Sequence, residues 1–209
     1  LTPNFATQRN AINVLSTVAV LGIVSIGQSY VLIAGGFDLS VSGTVPLGSV
    51  VYTLAANAGW SVAGATSAAL LVGVAVGVIN AGLVSKVGID ALITTLGTLA
   101  IAKGVGFILS GGRTIPLKDF SFAPVTNKAL GISIYVWILF GVSLAAFLIL
   151  RYTSYGRMLF ALGGNPEAAE LAGLRVNVLT TSVYVICGAL AAFAGSILAQ
   201  QFLAGSPNV

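Results

Sequence analysis

Charged residues are scarce in this 209-residue chain: 7% of its residues are Asp, Glu, Lys or Arg, whereas 57% are hydrophobic. The mean hydropathy is +1.03. An ordinary soluble domain has about a quarter of its residues charged, so this composition excludes a water-soluble surface. The net charge of +4 is not gathered into a block that could follow phosphates, and we expect no nucleic-acid partner.

Histidine is absent, and cysteine occurs once, at Cys187. The chain therefore lacks the common general base and the common imidazole metal ligand, and it cannot form an internal disulfide. We expect Cys187 to pack as a small apolar side chain. The composition argues against an enzyme, and we predict no catalytic residue, metal site or cofactor in this chain.

Long apolar runs fill most of the sequence, and several approach or reach the roughly 20 residues that a helix needs to cross a bilayer. The runs are continuous rather than alternating, which favours helices over a transmembrane barrel. The sequence therefore predicts an all-α, multi-pass transmembrane bundle of about six segments. The segments lie near residues 11–34, 39–56, 62–84, 91–109, 132–150 and 179–202.

Glycine and proline punctuate two of these segments. Gly35, Gly36 and Pro46 predict an interrupted helix between the first and third segments, with Pro46 breaking the second. Small residues recur at four-residue spacing in the third segment and predict a face for close helix contact. They are Ala69, Gly73, Gly77 and Ala81.

Few polar side chains lie within or beside the apolar runs. Asp38 either marks a pathway through the membrane or caps a helix that begins near Leu39. Lys103 either faces a hydrated cavity or extends its amine to the membrane surface. Four amides are candidates for hydrogen bonds between helices. They are Gln28, Asn80, Gln200 and Gln201.

A short helix with complete end signals is predicted between the last two segments. Asn165 is its N-cap, Pro166 suits the first helical position, and Gly173 suits a left-handed stop. Glu167 and Glu170 favour the positive end of the helix dipole.

One face of this short helix is apolar and contains Ala168, Leu171 and Leu174, or Ala172 with a slight rotation. A helix this short is marginal alone, so something should dock against it. Two interpretations remain: a connector on the membrane surface, or a docking element for a soluble partner.

The sequence here resembles a known family. Glu167, Ala168 and Ala169, followed after three residues by Gly173, resemble the cytoplasmic EAA-type loop of permease subunits in bacterial ABC importers. No Leu-Pro pair follows Gly173 at the usual distance, which departs from the broader pattern. Motifs over most of the chain resemble the ribose-type branch of monosaccharide permeases. They lie at 35–41, 95–99, 111–113, 156–157 and 163–169.

The resemblance implies that residues 1–209 belong to one permease domain of a bacterial inner-membrane importer, with further helices expected beyond both ends. It implies translocation of a pentose or hexose and pairing with a second permease subunit, identical or paralogous. It also implies cytoplasmic ATP-binding subunits that use ATP and Mg, and a periplasmic sugar-binding protein. Residues 111–113 lack the Gly-Lys-Ser/Thr ending of a phosphate loop, so ATP chemistry is expected in another polypeptide.

The resemblance also assigns candidate sites. Residues 151–177 would form a cytoplasmic coupling loop, and 110–131 an external loop whose Arg113, Lys118 and Lys128 could meet acidic residues of a binding protein. The ATPase-coupling candidates are Asn165, Pro166, Glu167, Ala168, Ala169, Glu170, Leu171 and Gly173. The substrate-pathway candidates come instead from the polar residues in or beside the apolar runs, and they are Asp38, Ser40, Gln28 and Asn80.

Three alternatives remain open. Related permeases carry branched-chain amino acids, a signalling furanone or nucleosides. A secondary transporter driven by an ion gradient would instead place ionisable residues near the bilayer midplane, where only Asp38 and Lys103 come close. A structural subunit that scaffolds another transporter is the third.

Overall fold

A computed structural model of the chain describes residues 7–118, 128–129 and 132–208. These residues contain eight α-helices: α1 Gln8–Ile33, α2 Val41–Asn57, α3 Val62–Ala81, α4 Ala91–Ser110, α5 Ile134–Tyr152, α6 Ser154–Gly164, α7 Pro166–Leu171 and α8 Val176–Phe202. A π-helical segment, Gly82–Val87, continues α3. Two antiparallel pairs of short strands complete the fold: β1 Ile115–Pro116 with β4 Ala204–Gly205, and β2 Lys128–Ala129 with β3 Ile132–Ser133.

Five helical stretches are long and apolar enough to cross a membrane. They are Val14–Ile33, Val62–Val87, Ala91–Ser110, Ile134–Tyr152 and Val176–Phe202. The sixth predicted segment is α2, which has 17 residues. At 1.5 Å per residue it is about 25 Å long, somewhat short of a hydrocarbon core of about 30 Å. The prediction of an all-α, multi-pass bundle is confirmed.

The predicted interruption is present at the glycines but not at the proline. Helix α1 ends at Ile33, and Gly35 takes a left-handed turn with φ +82° before α2 begins. Pro46 lies buried inside α2, which continues to Asn57. The prediction that Pro46 breaks this segment is therefore wrong. Packing against neighbouring helices can hold a membrane helix together where proline removes one of its hydrogen bonds.

Helix α8 lies at the centre of the bundle and packs against α1, α2 and α3. It contributes to all three buried apolar clusters, through Tyr184 in the first, Ile197 in the second and Ala199 in the third. A helix at the centre of such a bundle is surrounded by other helices and buries every face. This explains why α8 is much more buried than its neighbours.

The crossing of α3 and α8 depends on glycine. A Cβ atom added to Gly73 would overlap the carbonyl oxygen of Gly188, and one added to Gly188 would overlap that of Gly73. One turn further on, Gly77 meets the backbone of Tyr184 in the same way. The predicted small-residue face, Ala69, Gly73, Gly77 and Ala81, is buried throughout. It is confirmed as a helix interface, here within one chain.

The bundle has two distinct ends. At one, which we call the α7 end, Gly163 of α6 packs directly on the carbonyl group of Ile33 as α1 finishes. At the other, which we call the strand end, β1 pairs with β4 after α4 and α8 have ended. Of the predicted external loop, Asp119 and Pro124 lie outside the described residues.

Candidate functional site

Asp38 lies in the connection between α1 and α2 and is 1% exposed. Its Oδ1 atom accepts hydrogen bonds from the Ser40 amide at 2.9 Å and the Ser40 hydroxyl at 2.5 Å. Helix α2 begins at Val41 with Ser40 as its N-cap. Asp38 therefore orders the N-cap residue rather than the first helical amides. The predicted capping contact of Asp38 is thus present at the Ser40 amide, although the helix begins at Val41 rather than near Leu39.

Asn80 connects this turn to two helices. Its Nδ2 donates to Ser40 Oγ at 2.8 Å and to Asp38 Oδ1 at 3.4 Å, and its Oδ1 accepts from Thr98 Oγ1 at 2.7 Å. All four side chains are buried. The polar cluster, defined as Asp38, Ser40, Asn80 and Thr98, therefore links the α1–α2 turn to α3 and α4. The prediction of Asn80 as an interhelical partner is confirmed.

One carboxylate oxygen in the polar cluster is unsatisfied. Asp38 Oδ2 is buried and has no hydrogen-bond partner among the described residues. Beside the cluster, the thiol of Cys187 donates to Gln28 Oε1 at 3.6 Å, and the Tyr184 hydroxyl donates to the carbonyl of Phe37 at 3.2 Å. The Cys187 thiol is the neighbouring side chain that can also pair with the Asp38 carboxylate.

The structure brings together three of the four predicted pathway residues, Asp38, Ser40 and Asn80, and places Gln28 against α8 through Cys187. Cys187 is buried in the first apolar cluster, which confirms the prediction that it packs as a small apolar side chain. Thr98 was not predicted, although it lies in the 95–99 motif. In the sequence, Thr98 is a threonine within an apolar segment. Many such threonines only hydrogen-bond to a carbonyl of their own helix, as Thr98 also does with Thr94, so the residue type alone could not single it out.

Other predicted polar residues lie away from the polar cluster. Gln201 donates to the carbonyl of Ser16 at 2.8 Å, which confirms it as an interhelical partner. Gln200 is buried. Lys103 is exposed on α4, and Arg113 and Lys118 are exposed at the strand end. These three basic side chains are therefore exposed, away from the buried amides of Asn80 and Gln200.

Helix α7 has the predicted end structures. Asn165 Oδ1 accepts from the Ala168 amide at 3.0 Å, and Pro166 occupies the first turn. At the other end, the Leu174 amide donates to Ala169 at 3.0 Å and the Gly173 amide to Glu170 at 2.8 Å. With Gly173 at φ +86°, this is a Schellman motif. Six residues suffice for a helix here because both ends are satisfied.

The two faces of α7 differ in burial. Ala169 is buried, and α7 packs on α8. Ala168 and Ala172 are exposed, and Leu171 is 90% exposed. Leu174 is half-buried, so the predicted apolar face is split between the bundle and the outside. We define the α7 outer face as Ala168, Leu171 and Ala172, an apolar surface that no described residue covers.

Helix α6 joins α7 to the bundle. The Tyr155 hydroxyl lies 2.6 Å from Ser182 Oγ on α8. Burial raises the pKa of Tyr155 above its ordinary value, and the Ser182 hydrogen bond opposes this, so the phenol stays protonated at neutral pH. At the far end of α6, Gly163 packs on Ile33, three residues before Gly36 in the turn that leads to Asp38. The residues just before α7 therefore contact the end of α1 that leads into the turn beside the polar cluster.

Comparison with known proteins identifies the family. Residues 10–209 match the family described as "Branched-chain amino acid transport system / permease component". The chain is 32% identical to the ribose import permease protein RbsC of Escherichia coli K12, over 100% of this chain and 66% of that protein. It is 35% identical to the L-arabinose ABC transporter permease protein AraH of Azospirillum brasilense, over 99% of this chain and 61% of that protein.

A third relative is the autoinducer 2 import system permease protein LsrC of Salmonella paratyphi B, 33% identical over 90% of this chain and 55% of that protein. The chain thus spans less than two thirds of the length of these relatives. No solved structure matches it. The apolar helices and the match over 10–209 together show that this multi-pass membrane chain belongs to the family of transport-system permease components.

Proposed function

We propose that this chain is part of the permease subunit of an ATP-driven importer that moves a monosaccharide, a pentose or hexose, across the bacterial inner membrane. The observation that carries the proposal is the α7 outer face: a fully capped helix outside the membrane spans with Leu171 90% exposed. Relatives named for ribose and L-arabinose support the substrate class. The α7 end would then be cytoplasmic and the strand end external.

In this proposal α7 docks into a cytoplasmic ATP-binding subunit, which supplies the ATP and Mg chemistry. Asn165, Pro166 and Gly173 give the helix its shape, while Ala168 and Leu171 supply the contact. Glu167 adds negative charge at the positive end of its dipole, whereas Glu170 lies in the last turn, where the sequence-based expectation for the dipole does not hold. Ala169 seats the helix on the bundle. A second permease subunit and a periplasmic sugar-binding protein complete the importer, which lies in membrane lipid.

The polar cluster would act in the pathway by rearranging. Asp38, Ser40 and Asn80 are buried in this conformation, so they cannot contact a sugar without movement of α3 or α4. ATP binding that displaces α7 would move Gly163 and the α1–α2 turn, shifting the population between two helix arrangements. Gln28 would move with α1, breaking its contact with Cys187 on α8.

Co-purification tests the coupling role. We expect an ATPase subunit to co-purify with the full-length wild-type protein in mild detergent, and to be lost or weakened in Glu167→Lys and Leu171→Ser. Val178→Ser is the matched control, because Val178 is also exposed but lies outside α7. Equal recovery of the ATPase subunit with all variants, at normal membrane abundance, would show that α7 does not dock it and would favour a scaffold subunit.

Transport by the reconstituted importer tests the substrate class. We expect ATP-dependent uptake of ribose or arabinose and no uptake of leucine. Uptake of leucine instead of sugars would favour the amino-acid reading that the family description suggests. Uptake that persists without ATP but is abolished when an ion gradient is dissipated would indicate a secondary transporter.

A further inference from the structure

A cavity of about 330 Å³ opens at the strand end, away from the polar cluster and α7. Its volume falls in the range of small-molecule sites, roughly 300–1,000 Å³. The side chains that line it belong to α2, to the segment after α4, and to the end of α8 with β4. They are Ser49, Thr114, Leu198, Phe202, Ala204 and Ser206.

Specific backbone contacts hold these segments together. The β1–β4 pair joins Ile115 to Gly205, which brings Thr114 beside Ser206. Asn57, at the end of α2, donates to the Pro116 carbonyl at 3.0 Å and accepts from the Lys118 amide at 2.9 Å. The same α2 therefore supplies both a wall of the cavity and the clamp for the segment that closes it.

The chain adopts an unusual backbone conformation where it enters this wall. Leu203 has φ +53°, and it is the single non-glycine residue with positive φ in the described part of the chain. Its carbonyl accepts from the Leu117 amide at 2.9 Å. Next to it, a Cβ on Gly205 would lie 2.6 Å from Thr53 Oγ1, so β4 sits directly on α2. Strained backbone of this kind persists where its surroundings fix it and often marks a functional site.

Three residues that carry hydroxyl groups line the cavity, and Ser206 is hydrogen-bonded to the other two. The Ser206 amide donates to Ser49 Oγ at 3.3 Å, and Thr114 Oγ1 donates to Ser206 Oγ at 3.3 Å. Ser49 also donates to the Pro46 or Ser206 carbonyl, at 2.9 or 3.1 Å. The Ser206 hydroxyl is thus used only as an acceptor within the described residues and keeps its proton for a ligand. Thr114 keeps lone pairs to accept one.

The opposite wall is apolar, and none of the six lining residues is charged. Phe202 lines the cavity and is 64% exposed, so most of its side chain is left uncovered by the described residues. A pyranose or furanose ring presents hydroxyl groups at its edge and C–H bonds on its face, which matches hydroxyls next to an aromatic ring. An amino acid would need partners for both its carboxylate and its ammonium group, because burying either charge unpaired is costly.

We propose that this cavity is a binding subsite for a neutral monosaccharide at the outer mouth of the pathway, an inference that rests on the proposed function. Thr114 and Ser206 hydrogen-bond two sugar hydroxyls, and Phe202 stacks on the ring. Ser49 is a positioning residue that fixes Ser206 through its amide. The subsite receives sugar released from the binding protein before the helices rearrange.

The test uses the complete importer, with full-length permease, ATPase subunit and binding protein in liposomes, transporting ribose, arabinose and their monodeoxy analogues. Thr114→Val removes a hydroxyl but keeps the side-chain shape, and Thr114→Ser keeps the hydroxyl. Ser206→Ala and Phe202→Ala complete the set. Two matched controls lie outside the cavity: Ser110→Ala, near the same end of α4, and Phe140→Ala, a ring 61% exposed on α5.

We expect transport of the parent sugar to fall about five- to tenfold in Thr114→Val and Ser206→Ala, the usual effect of one lost neutral hydrogen bond. Phe202→Ala should fall at least as far. Thr114→Ser and both controls should stay within about twofold of wild type. ATPase stimulation by the loaded binding protein should not change. In wild type, the monodeoxy analogue that lacks the hydroxyl bound by Thr114 should be transported more slowly than the parent sugar. In Thr114→Val this analogue and the parent sugar should be transported equally well, a result that a purely structural role of Thr114 would not produce.

Two failures are distinguishable. If the wild-type importer takes up no sugar, the proposed function fails, and the sugar subsite fails with it. If wild type takes up sugar but Thr114→Val and Ser206→Ala match the controls, with every deoxy penalty unchanged, the subsite alone is wrong. The second outcome is also expected if another part of the protein or a lipid chain fills the cavity.

Discussion

Helices α5 and α8 have almost the same mean hydropathy, yet they occupy opposite environments. In the most apolar stretch of α8, 61% of residues are buried within the chain, whereas the figure for α5 is 6%. Both are long enough to cross a membrane. Apolar content therefore identifies a membrane helix without saying whether its neighbours are other helices or lipid.

The difference between α5 and α8 lies in the size of their side chains. The buried face of α8 is rich in small residues, including Gly188, Ala191 and Gly195, which allow other backbones to approach closely. The exposed face of α5 carries large side chains such as Trp137 and Phe140. Without a hydrophobic force between helices in lipid, close packing holds the bundle together, and small residues permit it.

The largest effect should come from the α3–α8 crossing. Gly188→Ala places a Cβ on the carbonyl of Gly73, so the two backbones must separate, at a cost of about 3 kcal/mol. Gly141→Ala on α5 is the matched control, because nothing lies within 4 Å of its added Cβ. Thermal unfolding in detergent measures both. Equal midpoints for the two variants would show that the crossing is looser than the structure indicates.

The next effect should come from the polar cluster. Asn80→Ala removes the group that joins Ser40 to Thr98, leaving buried polar atoms unpaired at a cost of about 2 kcal/mol. Ser67→Ala on the same helix should have little effect, since this exposed hydroxyl bonds only to the Ala63 carbonyl one turn earlier. The same unfolding measurement applies. Wild-type stability of Asn80→Ala would mean that the cluster does not hold α3 and α4 to the turn.

A smaller effect is expected where α6 meets α1. The Cβ of Gly163→Ala would overlap the Ile33 carbonyl, but α6 meets α1 over a much shorter contact than α3 meets α8 and can shift more easily. We therefore expect a destabilisation of about 1 kcal/mol or more. Its neighbour Gly164 has nothing within 4 Å, so Gly164→Ala is the control. Transport coupled to ATP hydrolysis should fall in Gly163→Ala alone. If both variants couple normally, the link from α7 to the α1–α2 turn does not carry the signal.

The smallest effect is expected on α5. Phe140→Leu should change stability by less than about 0.5 kcal/mol, because Phe140 is exposed and a leucine is equally apolar. Unfolding of the full-length protein measures this. A destabilisation above about 2 kcal/mol would place Phe140 in a protein interface and would break the comparison between α5 and α8.

Local sequence signals predicted local structure well. Asn165, Pro166 and Gly173 predicted the position and ends of α7, because caps act over three or four residues and need no distant partner. The spacing of Gly73 and Gly77 predicted a helix interface for a similar reason. The prediction from Pro46 was wrong, because the hydrogen bond that proline removes is a local loss, which packing of α2 against neighbouring helices offsets.

The sites depended more on distant contacts. Asp38 and Asn80 were singled out one at a time as polar residues in apolar surroundings, and their meeting across 42 positions was not predicted. The hydrogen bond from Thr98 to Asn80 was not predicted either. The cavity at the strand end was missed altogether, because Ser49, Thr114 and Ser206 are ordinary hydroxyl residues until the β1–β4 pair brings them together.

The sequence by itself determined that the chain is a multi-pass helical membrane protein and where α7 begins and ends. Few charges and long apolar runs are what a lipid environment requires, and they can be read directly from the sequence. Helix caps depend only on residues three or four positions apart in the chain. Only the tertiary structure decided that α8 is central and α5 peripheral, and that hydroxyl groups from three segments face one cavity. These are relations between distant segments, and a periodic apolar pattern is the same whether its neighbour is lipid or another helix.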